Sequence, residues 1–223
     1  MTRSLQVLDL SFKYRGRKRP ALRNVSFTLE RGESLLVLGP SGGGKSTLAL
    51  CLNGAIPRFV DGDLSGRVAI DGHDTRDTEM AELAQKVGLV FQDPEAQFCM
   101  LVVEEEVAFG LENLAVPRYE MDARIAEALA WVGLGEQRYE PIERLSGGQK
   151  QRLALACVLA QGPEILVFDE PTAQLDPAGA AEVIDLLRRL RTEGRHSLVI
   201  VEHRLDDLMP LVDRALVLSH AGE

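Results

Sequence analysis

The stretch GPSGGGKST, at residues 39–47, constrains the fold more than any other part of this 223-residue chain. It matches the pattern GxxxxGK[ST]. It lies between an apolar run at residues 35–38, typical of a buried strand, and a helical pattern at residues 46–53. Glycines let consecutive backbone N–H groups curl around phosphates, and the helix N-terminus adds the positive end of its dipole. The alternative is a glycine-rich turn that contains a lysine by chance.

Three polar residues of the phosphate loop have separate predicted roles. Lys45 should reach the β- and γ-phosphates, Ser46 should ligate Mg²⁺, and Thr47 should add a donor near the α-phosphate. The predicted nucleotide-binding residues of the loop are Gly39, Pro40, Ser41, Gly42, Gly43, Gly44, Lys45, Ser46 and Thr47.

Apolar runs alternate with helical patterns along much of the chain, which predicts a parallel sheet of the doubly wound α/β kind. Alternating residues at 5–10 and 25–29 predict short antiparallel strands before it. Residues 92–145 have a mostly helical pattern and predict an inserted lobe. The remaining predicted strands are residues 35–38, 68–70, 87–91, 165–168, 197–201 and 215–218, and the remaining helices are residues 46–53, 78–86, 149–161 and 178–191.

Composition limits the class of protein. The net charge is −9, which argues against a protein that wraps nucleic acid, and Arg15, Arg17, Lys18 and Arg19 are interpreted as a solvated loop. The three cysteines show no metal or disulfide spacing, which fits a reducing compartment. No apolar run approaches the roughly 20 residues that span a bilayer. No signal-peptide pattern opens the chain, so we expect a soluble, cytosolic protein.

Two carboxylates follow the apolar run at residues 165–168. Ligands bind at the carboxyl ends of strands in such sheets. Asp169 is therefore predicted to hold the Mg²⁺ shell through water, and Glu170 to polarise the attacking water for in-line phosphoryl transfer. Alone, an Asp-Glu pair could equally cap a helix. Together with the phosphate loop, it predicts hydrolysis of a nucleoside triphosphate.

The pentapeptide LSGGQ, at residues 145–149, stands directly before a strong helical pattern. Its backbone amides would form a second anion-binding helix N-terminus, unless the segment is an ordinary helix cap. Because the phosphate loop already holds one nucleotide, a second γ-phosphate site is needed only for a nucleotide bound by another subunit. The residues predicted to contact that nucleotide are Ser146, Gly147, Gly148 and Gln149.

These three motifs, in the chain order phosphate loop, LSGGQ and carboxylate pair, resemble those of the ATP-binding cassette (ABC) ATPases over residues 5–218. The resemblance implies a P-loop NTPase with a RecA-like parallel-sheet core, an N-terminal antiparallel β subdomain and an inserted α-helical subdomain. The implied single domain has its catalytic core in residues 1–91 and 146–223 and its helical subdomain in residues 92–145. It also implies a head-to-tail homo- or heterodimer, with two ATPs between one subunit's phosphate loop and the other's LSGGQ.

Further roles follow from the resemblance. Tyr14 matches the aromatic residue that stacks on adenine, and Gln92 the glutamine that senses Mg²⁺ and the attacking water. Asp176 matches the loop that crosses the dimer interface, and His203 the switch histidine that contacts the γ-phosphate. Tyr14 could instead be a strand aromatic, and His203 an ordinary loop histidine. The implied catalytic residues are Lys45, Gln92, Glu170 and His203, and the implied metal-binding residues are Ser46, Gln92 and Asp169.

Two positions depart from the family pattern. Glu202 precedes His203 where relatives usually carry a small hydroxyl residue, and Gln174 occupies a usually small position of the crossing loop. Neither change removes a catalytic group, so both composite half-sites should be intact. The Val-Glu-His-Arg sequence resembles the first half of fused, duplicated cassettes, and relatives usually continue beyond Glu223. We therefore expect a truncated chain or one half of a longer protein.

The segment FQDPEAQF, residues 91–98, together with VEEEVAFGLEN, residues 103–113, resembles energy-coupling-factor (ECF) importers, which take up vitamins and cobalt or nickel ions. The implied partners are a second ATPase subunit, a transmembrane coupling protein and a substrate-binding membrane protein, at the cytoplasmic face of the membrane. Nucleic acid is not an expected partner. The alternatives are another type of ABC transporter and a soluble cassette that acts on nucleic acid.

The apolar residues 98–103 are expected to border a groove where a membrane protein docks, with the glutamates at 104–106 as a solvated rim. The alternative is that the apolar residues belong to the core of the lobe and the glutamates to its solvated face.

Overall fold

Two β-sheets form the framework of the computed structural model, which describes residues 3–203 and 207–219. The strands are Arg3–Tyr14 (β1), Leu22–Glu30 (β2), Ser34–Leu38 (β3), Gly62–Ile70 (β4), His73–Asp74 (β5), Val87–Val90 (β6), Ile165–Asp169 (β7), Ser197–Val201 (β8) and Arg214–Val217 (β9). The helices are Lys45–Leu52 (α1), Ala55–Arg58 (α2), Met80–Lys86 (α3), Val103–Asn113 (α4), Arg118–Trp131 (α5), Gly147–Gln161 (α6) and Pro177–Glu193 (α7). Short 3-10 turns lie at Gly135–Gln137, Ile142–Arg144 and Met209–Leu211.

The larger sheet is parallel, with the strand order β6-β7-β8-β3-β9. Strands β7 and β8 are buried at every position, as expected for a parallel sheet covered on both faces. The predicted doubly wound parallel sheet is therefore confirmed. Because the strands share one direction, the segments that follow β3, β7 and β8 leave the sheet at the same edge.

The smaller sheet is antiparallel, with the order β2-β1-β4-β5, and confirms the predicted N-terminal antiparallel strands. Alternate residues of β1 are buried, first Leu5 and Val7 and then, after a register shift, Leu10 and Phe12. These side chains join β3 and helix α1 in one apolar cluster. That cluster connects the two sheets.

A second apolar cluster covers the opposite face of the parallel sheet. Leu36 belongs to it, whereas its neighbours Leu35 and Val37 belong to the first cluster, because side chains alternate across a strand. Helices α4, α5, α6 and α7 all contribute to the second cluster. The inserted helices therefore pack onto the sheet core through a continuous apolar region.

The segment between β6 and α4 differs from its prediction. Residues 92–102 contain no helix, and their only ladder contact among the described residues is an isolated bridge between Val102 and Pro141. Pro94 disfavours helical geometry at Asp93, which explains why the helical pattern does not begin at Gln92. The helical part of the lobe begins at α4.

Candidate nucleotide-binding site

A cleft of about 1010 Å³ lies at the edge where β3 and β7 end. Of the predicted nucleotide-binding and catalytic residues, those that line it are Tyr14, Ser41, Gly42, Gly44, Lys45, Ser46, Thr47, Gln92 and Glu170. Three further lining residues, Arg17, Lys18 and Arg19, lie in an exposed loop, as predicted. They give the cleft a concentration of positive charge that suits a polyphosphate, despite the acidic balance of the chain.

The phosphate loop is held tightly against its surroundings. Gly44 has φ +92° and precedes helix α1, and a Cβ there would lie 2.2 Å from the carbonyl oxygen of Ala21. Only glycine fits this position. The Lys45 Nζ atom donates to the carbonyl oxygens of Gly39 and Pro40, each at 3.1 Å. The loop therefore curls around its own lysine.

Three of the predicted catalytic groups lie close together beside the cleft, and two of them, Lys45 and Glu170, line it. The Oε1 atom of Glu170 lies 2.8 Å from Nε2 of His203 and 3.5 Å from Nζ of Lys45. The Lys45 and His203 nitrogens lie 3.2 Å apart. The three residues come from the segments that follow β7, β8 and β3, so the shared edge of the sheet brings them together.

Glu170 is held in an unusual backbone conformation. Its φ is +49°, a left-handed value that is costly for a residue with a Cβ atom. Its N–H donates to the carbonyl oxygen of Val201 at 2.8 Å, and its own carbonyl accepts from Ala173 at 3.1 Å. Strained residues of this kind cluster at functional sites, where the surrounding contacts fix them.

Asp169 carries a buried and unsatisfied oxygen. The residue is buried, and no described protein group hydrogen-bonds its Oδ1 atom. Burial raises the pKa of its carboxyl group, a hydrogen bond with Ser46 opposes that shift, and the charge of Glu170 adds to it. A buried carboxylate oxygen without a donor, beside a serine hydroxyl, is an arrangement that fits a hard divalent cation.

Tyr14 and Thr47 are in direct contact. Their hydroxyl oxygens lie 2.9 Å apart, and the Tyr14 ring packs edge-on against Phe12 with centroids 4.9 Å apart. Tyr14 is placed at the cleft as predicted, and its role in stacking on adenine stays a prediction. The Thr47 hydroxyl has a protein partner here, which the sequence pattern did not indicate.

Three of the LSGGQ residues, Ser146, Gly147 and Gly148, line a separate and smaller cleft, of about 370 Å³, with the loop that contains Asp176. Ser146 caps helix α6 in a capping box with Gln149, which is why the helix begins at Gly147, before its predicted start. Asp176 caps helix α7, where its Oδ1 accepts from the N–H of Gly179 at 2.9 Å. This second cleft shares no lining residue with the first.

A model of the ABC transporter family matches residues 22–173, which is more than half of the chain. This range holds the phosphate loop, the LSGGQ segment and the two carboxylates after β7. The chain belongs to the ABC transporter family. Within that family it is a cassette that binds and hydrolyses ATP, built on the P-loop NTPase fold that the sequence predicted.

Curated relatives of this cassette are similar along nearly all of its length. YkoD of Bacillus subtilis, provisionally named an HMP/thiamine import ATP-binding protein, is 47% identical over 98% of this chain. A provisionally named ABC transporter ATP-binding protein of Pyrococcus abyssi is 49% identical over 96% of it. The chain spans 40% of the length of YkoD and 76% of the Pyrococcus protein.

Two solved cassettes have closely similar structures. CbiO1 of Clostridium perfringens, described as part of the ABC transporter complex CbiONQ, is 33% identical with a TM-score of 0.85 and covers 99% of this chain and 86% of its own. The cassette MJ0796, described as a dimer in a post-hydrolysis state bound to ADP and Pi, is 29% identical with a TM-score of 0.81. The alignment covers 96% of this chain and 94% of MJ0796. Among the described residues of the present cassette, no helix has both the length and the apolarity needed to cross a membrane.

The segment that follows Gln92 borders an open groove of about 460 Å³. Its apolar lining includes Phe98, Leu101 and Ile142. The Leu101 side chain is 82% exposed to solvent. The groove residues in full are Glu95, Phe98, Met100, Leu101, Val102, Pro141, Ile142, Glu143 and Lys150. Leu101 is thus a large apolar side chain that faces solvent beside other apolar groove residues.

The predicted solvated rim of glutamates is wrong at Glu106. This residue is buried, and its Oε2 atom accepts from the backbone N–H groups of Cys99 at 2.8 Å and Met100 at 2.7 Å. Glu104 pairs with Arg138 at 2.8 Å, and Glu105 is exposed. Glu106 therefore fixes the backbone of the groove segment instead of facing solvent.

The same segment is tied to the start of helix α6. Gln151 Nε2 donates to the carbonyl oxygen of Phe91 at 3.3 Å, and Lys150 forms an ion pair with Glu95. Both residues directly follow the LSGGQ sequence. The structure thus links the segment that begins at Gln92 to the helix that carries the second nucleotide-binding motif.

Proposed function

We propose that this cassette hydrolyses ATP to drive an ECF-type importer, through a separate transmembrane coupling protein and a substrate-binding membrane protein. The observation that carries the proposal is the apolar groove around Leu101, which is lined in part by the chain segment that follows Gln92 of the ATP cleft. The similarity to CbiO1, a part of the CbiONQ complex, and to YkoD, named for HMP/thiamine import, supports it. The proposed cargo is a vitamin or a cobalt or nickel ion.

The proposed reaction uses the residues that meet at the cleft. Lys45 binds the β- and γ-phosphates, and Glu170 accepts the proton of the water that attacks the γ-phosphorus as the bond to ADP breaks. His203 contacts the γ-phosphate, and Gln92 orients the water. Ser46, Gln92 and Asp169 would hold Mg²⁺, which supplies positive charge for the phosphate oxygens.

The proposed active unit is a dimer of cassettes, either two copies or two related chains. The LSGGQ cleft lies apart from the phosphate loop of the same chain, so its N–H groups and helix dipole are available to a nucleotide held by another subunit. The dimeric state described for MJ0796 supports this arrangement.

The proposed location is the cytoplasmic face of the membrane, with the groove occupied by a cytoplasmic segment of the coupling protein. Leu101 would become buried in that complex, and Glu95, Glu143 and Lys150 would form part of its polar border. The cassette would be peripheral, held by this contact alone.

The test uses the full-length protein, reconstituted in lipid vesicles with the membrane proteins encoded beside it. We expect ATP-dependent uptake of a labelled vitamin or of labelled cobalt or nickel ions. Leu101→Asp should abolish uptake and leave the ATPase rate of the isolated cassette unchanged. Phe59→Asp is the matched control, because Phe59 is 73% exposed and lies outside the groove. Equal uptake in the two variants would refute the docking role of the groove, and export in place of uptake would refute the importer.

A further inference from the structure

Glu202 is a buried carboxylate next to the cleft. It is 2% exposed and lies between the end of β8 and His203. Its Oε1 atom accepts from the N–H of Thr172 at 3.3 Å and from the Thr172 hydroxyl. Its Oε2 atom accepts from the N–H of His203 at 2.7 Å. The two oxygens of one side chain thus bind two different loops.

These two loops carry Glu170 and His203, the pair proposed above to act in catalysis. Thr172 lies two residues after Glu170, and its N–H and hydroxyl are both bound by Glu202. His203 is bound through its own backbone N–H. Glu170 and His203 themselves are 2.8 Å apart, between Oε1 and Nε2. Glu202 therefore connects the two backbone segments that carry these side chains.

The energetics favour a rigid bridge. A buried carboxylate is costly unless donors satisfy it, and hydrogen bonds to a charged group are stronger than those between neutral groups. The three donors that bind Glu202 are satisfied only while both loops keep their present positions. A serine, with one short hydroxyl, would lack the second acceptor oxygen needed to bind both loops at once.

We propose that Glu202 is a positioning residue that sets the placement of His203 relative to Glu170 during ATP hydrolysis. This inference rests on the catalytic roles proposed above for those two residues. Glu202 touches neither the cleft nor the reacting atoms, and acts through His203 and Thr172.

The first test compares Glu202→Gln with the wild-type protein. The amide keeps the volume of the side chain but replaces one acceptor oxygen by an NH₂ group, so one backbone N–H, that of Thr172 or that of His203, loses its acceptor. Because misplacement of a catalytic group by about 1 Å can cost up to 10²-fold in rate, we expect kcat for ATP to fall by roughly 10- to 100-fold. The KM for ATP should stay within about twofold, since the phosphate loop is unchanged.

A double-variant cycle separates positioning from general stabilisation. Because one of the two loops that Glu202 holds carries His203, Glu202→Gln should lower kcat by a smaller factor in a His203→Ala background than in the wild-type background. Losses that multiply in the double variant would overturn the inference. An unchanged kcat in His203→Ala alone would overturn the proposed role of His203 itself, and the inference with it.

A matched pair at Thr172 covers the case in which Glu202→Gln does not fold. Thr172→Val removes the hydroxyl donor at constant shape and should lower kcat by several-fold. Thr172→Ser restores that donor and should recover most of the loss. Equal kcat values in the Val and Ser proteins would overturn the inference.

Discussion

Glu106 offers a sharp test of how the groove segment is held. Replacing it by alanine removes a buried carboxylate that binds two backbone N–H groups, those of Cys99 and Met100. Hydrogen bonds to a charged group contribute about 1.5–3 kcal/mol each, and the lower figure applies here because Cys99 is exposed and its N–H can bind water instead. Two such bonds predict a loss of about 3 kcal/mol in the free energy of unfolding.

The geometry also predicts the result for glutamine. Both N–H groups donate to the same oxygen, Oε2, so an amide oxygen can accept both bonds and only the charge is lost. Two neutral hydrogen bonds, at about 1 kcal/mol each, would then replace two charged ones at about 1.5 kcal/mol each. Glu106→Gln should therefore lower the free energy of unfolding by about 1 kcal/mol. The measurement is urea denaturation, supported by the melting temperature, which should fall by about 6–12 °C in the alanine variant.

Glu105→Ala is the matched control for Glu106→Ala. Glu105 stands beside Glu106 in the first turn of α4, so both replacements remove the same helix-dipole interaction, but Glu105 is exposed. We expect a change within about 0.5 kcal/mol. A Glu106→Ala protein as stable as the Glu105→Ala protein would refute the reasoning. Equal losses for alanine and glutamine would show that the single shared oxygen is not what holds the segment.

Three further predictions concern the ATP site. Glu170→Gln should lower kcat by about 10²–10⁴-fold while calorimetry still detects ATP binding, because the general base is lost and the phosphate loop is not; full turnover would remove Glu170 from that role. Lys45→Ala should raise the Kd for ATP by at least about tenfold, from the loss of one charged hydrogen bond, and an unchanged Kd would contradict the phosphate-loop assignment. ATPase activity of the dilute protein should rise more steeply than linearly with its concentration, and strictly linear activity from a proven monomer would contradict the shared site.

Much of the ATP site could be predicted because its residues follow local rules. The phosphate loop needs a fixed spacing of glycines and a lysine, and the carboxylates Asp169 and Glu170 must follow a buried strand. The 2.8 Å contact between Glu170 and His203 depends instead on β7 and β8 being neighbours, which is a property of the strand order and not of either segment.

The errors have equally physical causes. Three consecutive glutamates suggested one solvated rim, but successive residues of a helix are turned by about 100° from one another, so the three could not all face the same side. Glu106 is the one that faces inward. The basic residues Arg17, Lys18 and Arg19 are exposed as predicted, but they also line the ATP cleft, because the β1–β2 hairpin carries their loop beside the phosphate loop; sequence spacing does not reveal this.

Because the backbone at Glu170 is left-handed, the residue that would be most stable at this position differs from the residue that the proposed reaction needs. Any residue with a Cβ atom costs about 1–2 kcal/mol in that conformation, whereas glycine adopts it freely. A library randomised at this position and selected only for resistance to heat should therefore enrich glycine or asparagine, and every enriched clone should have lost its ATPase. Selection of this cassette for heat resistance alone would therefore act against the residue proposed as its general base.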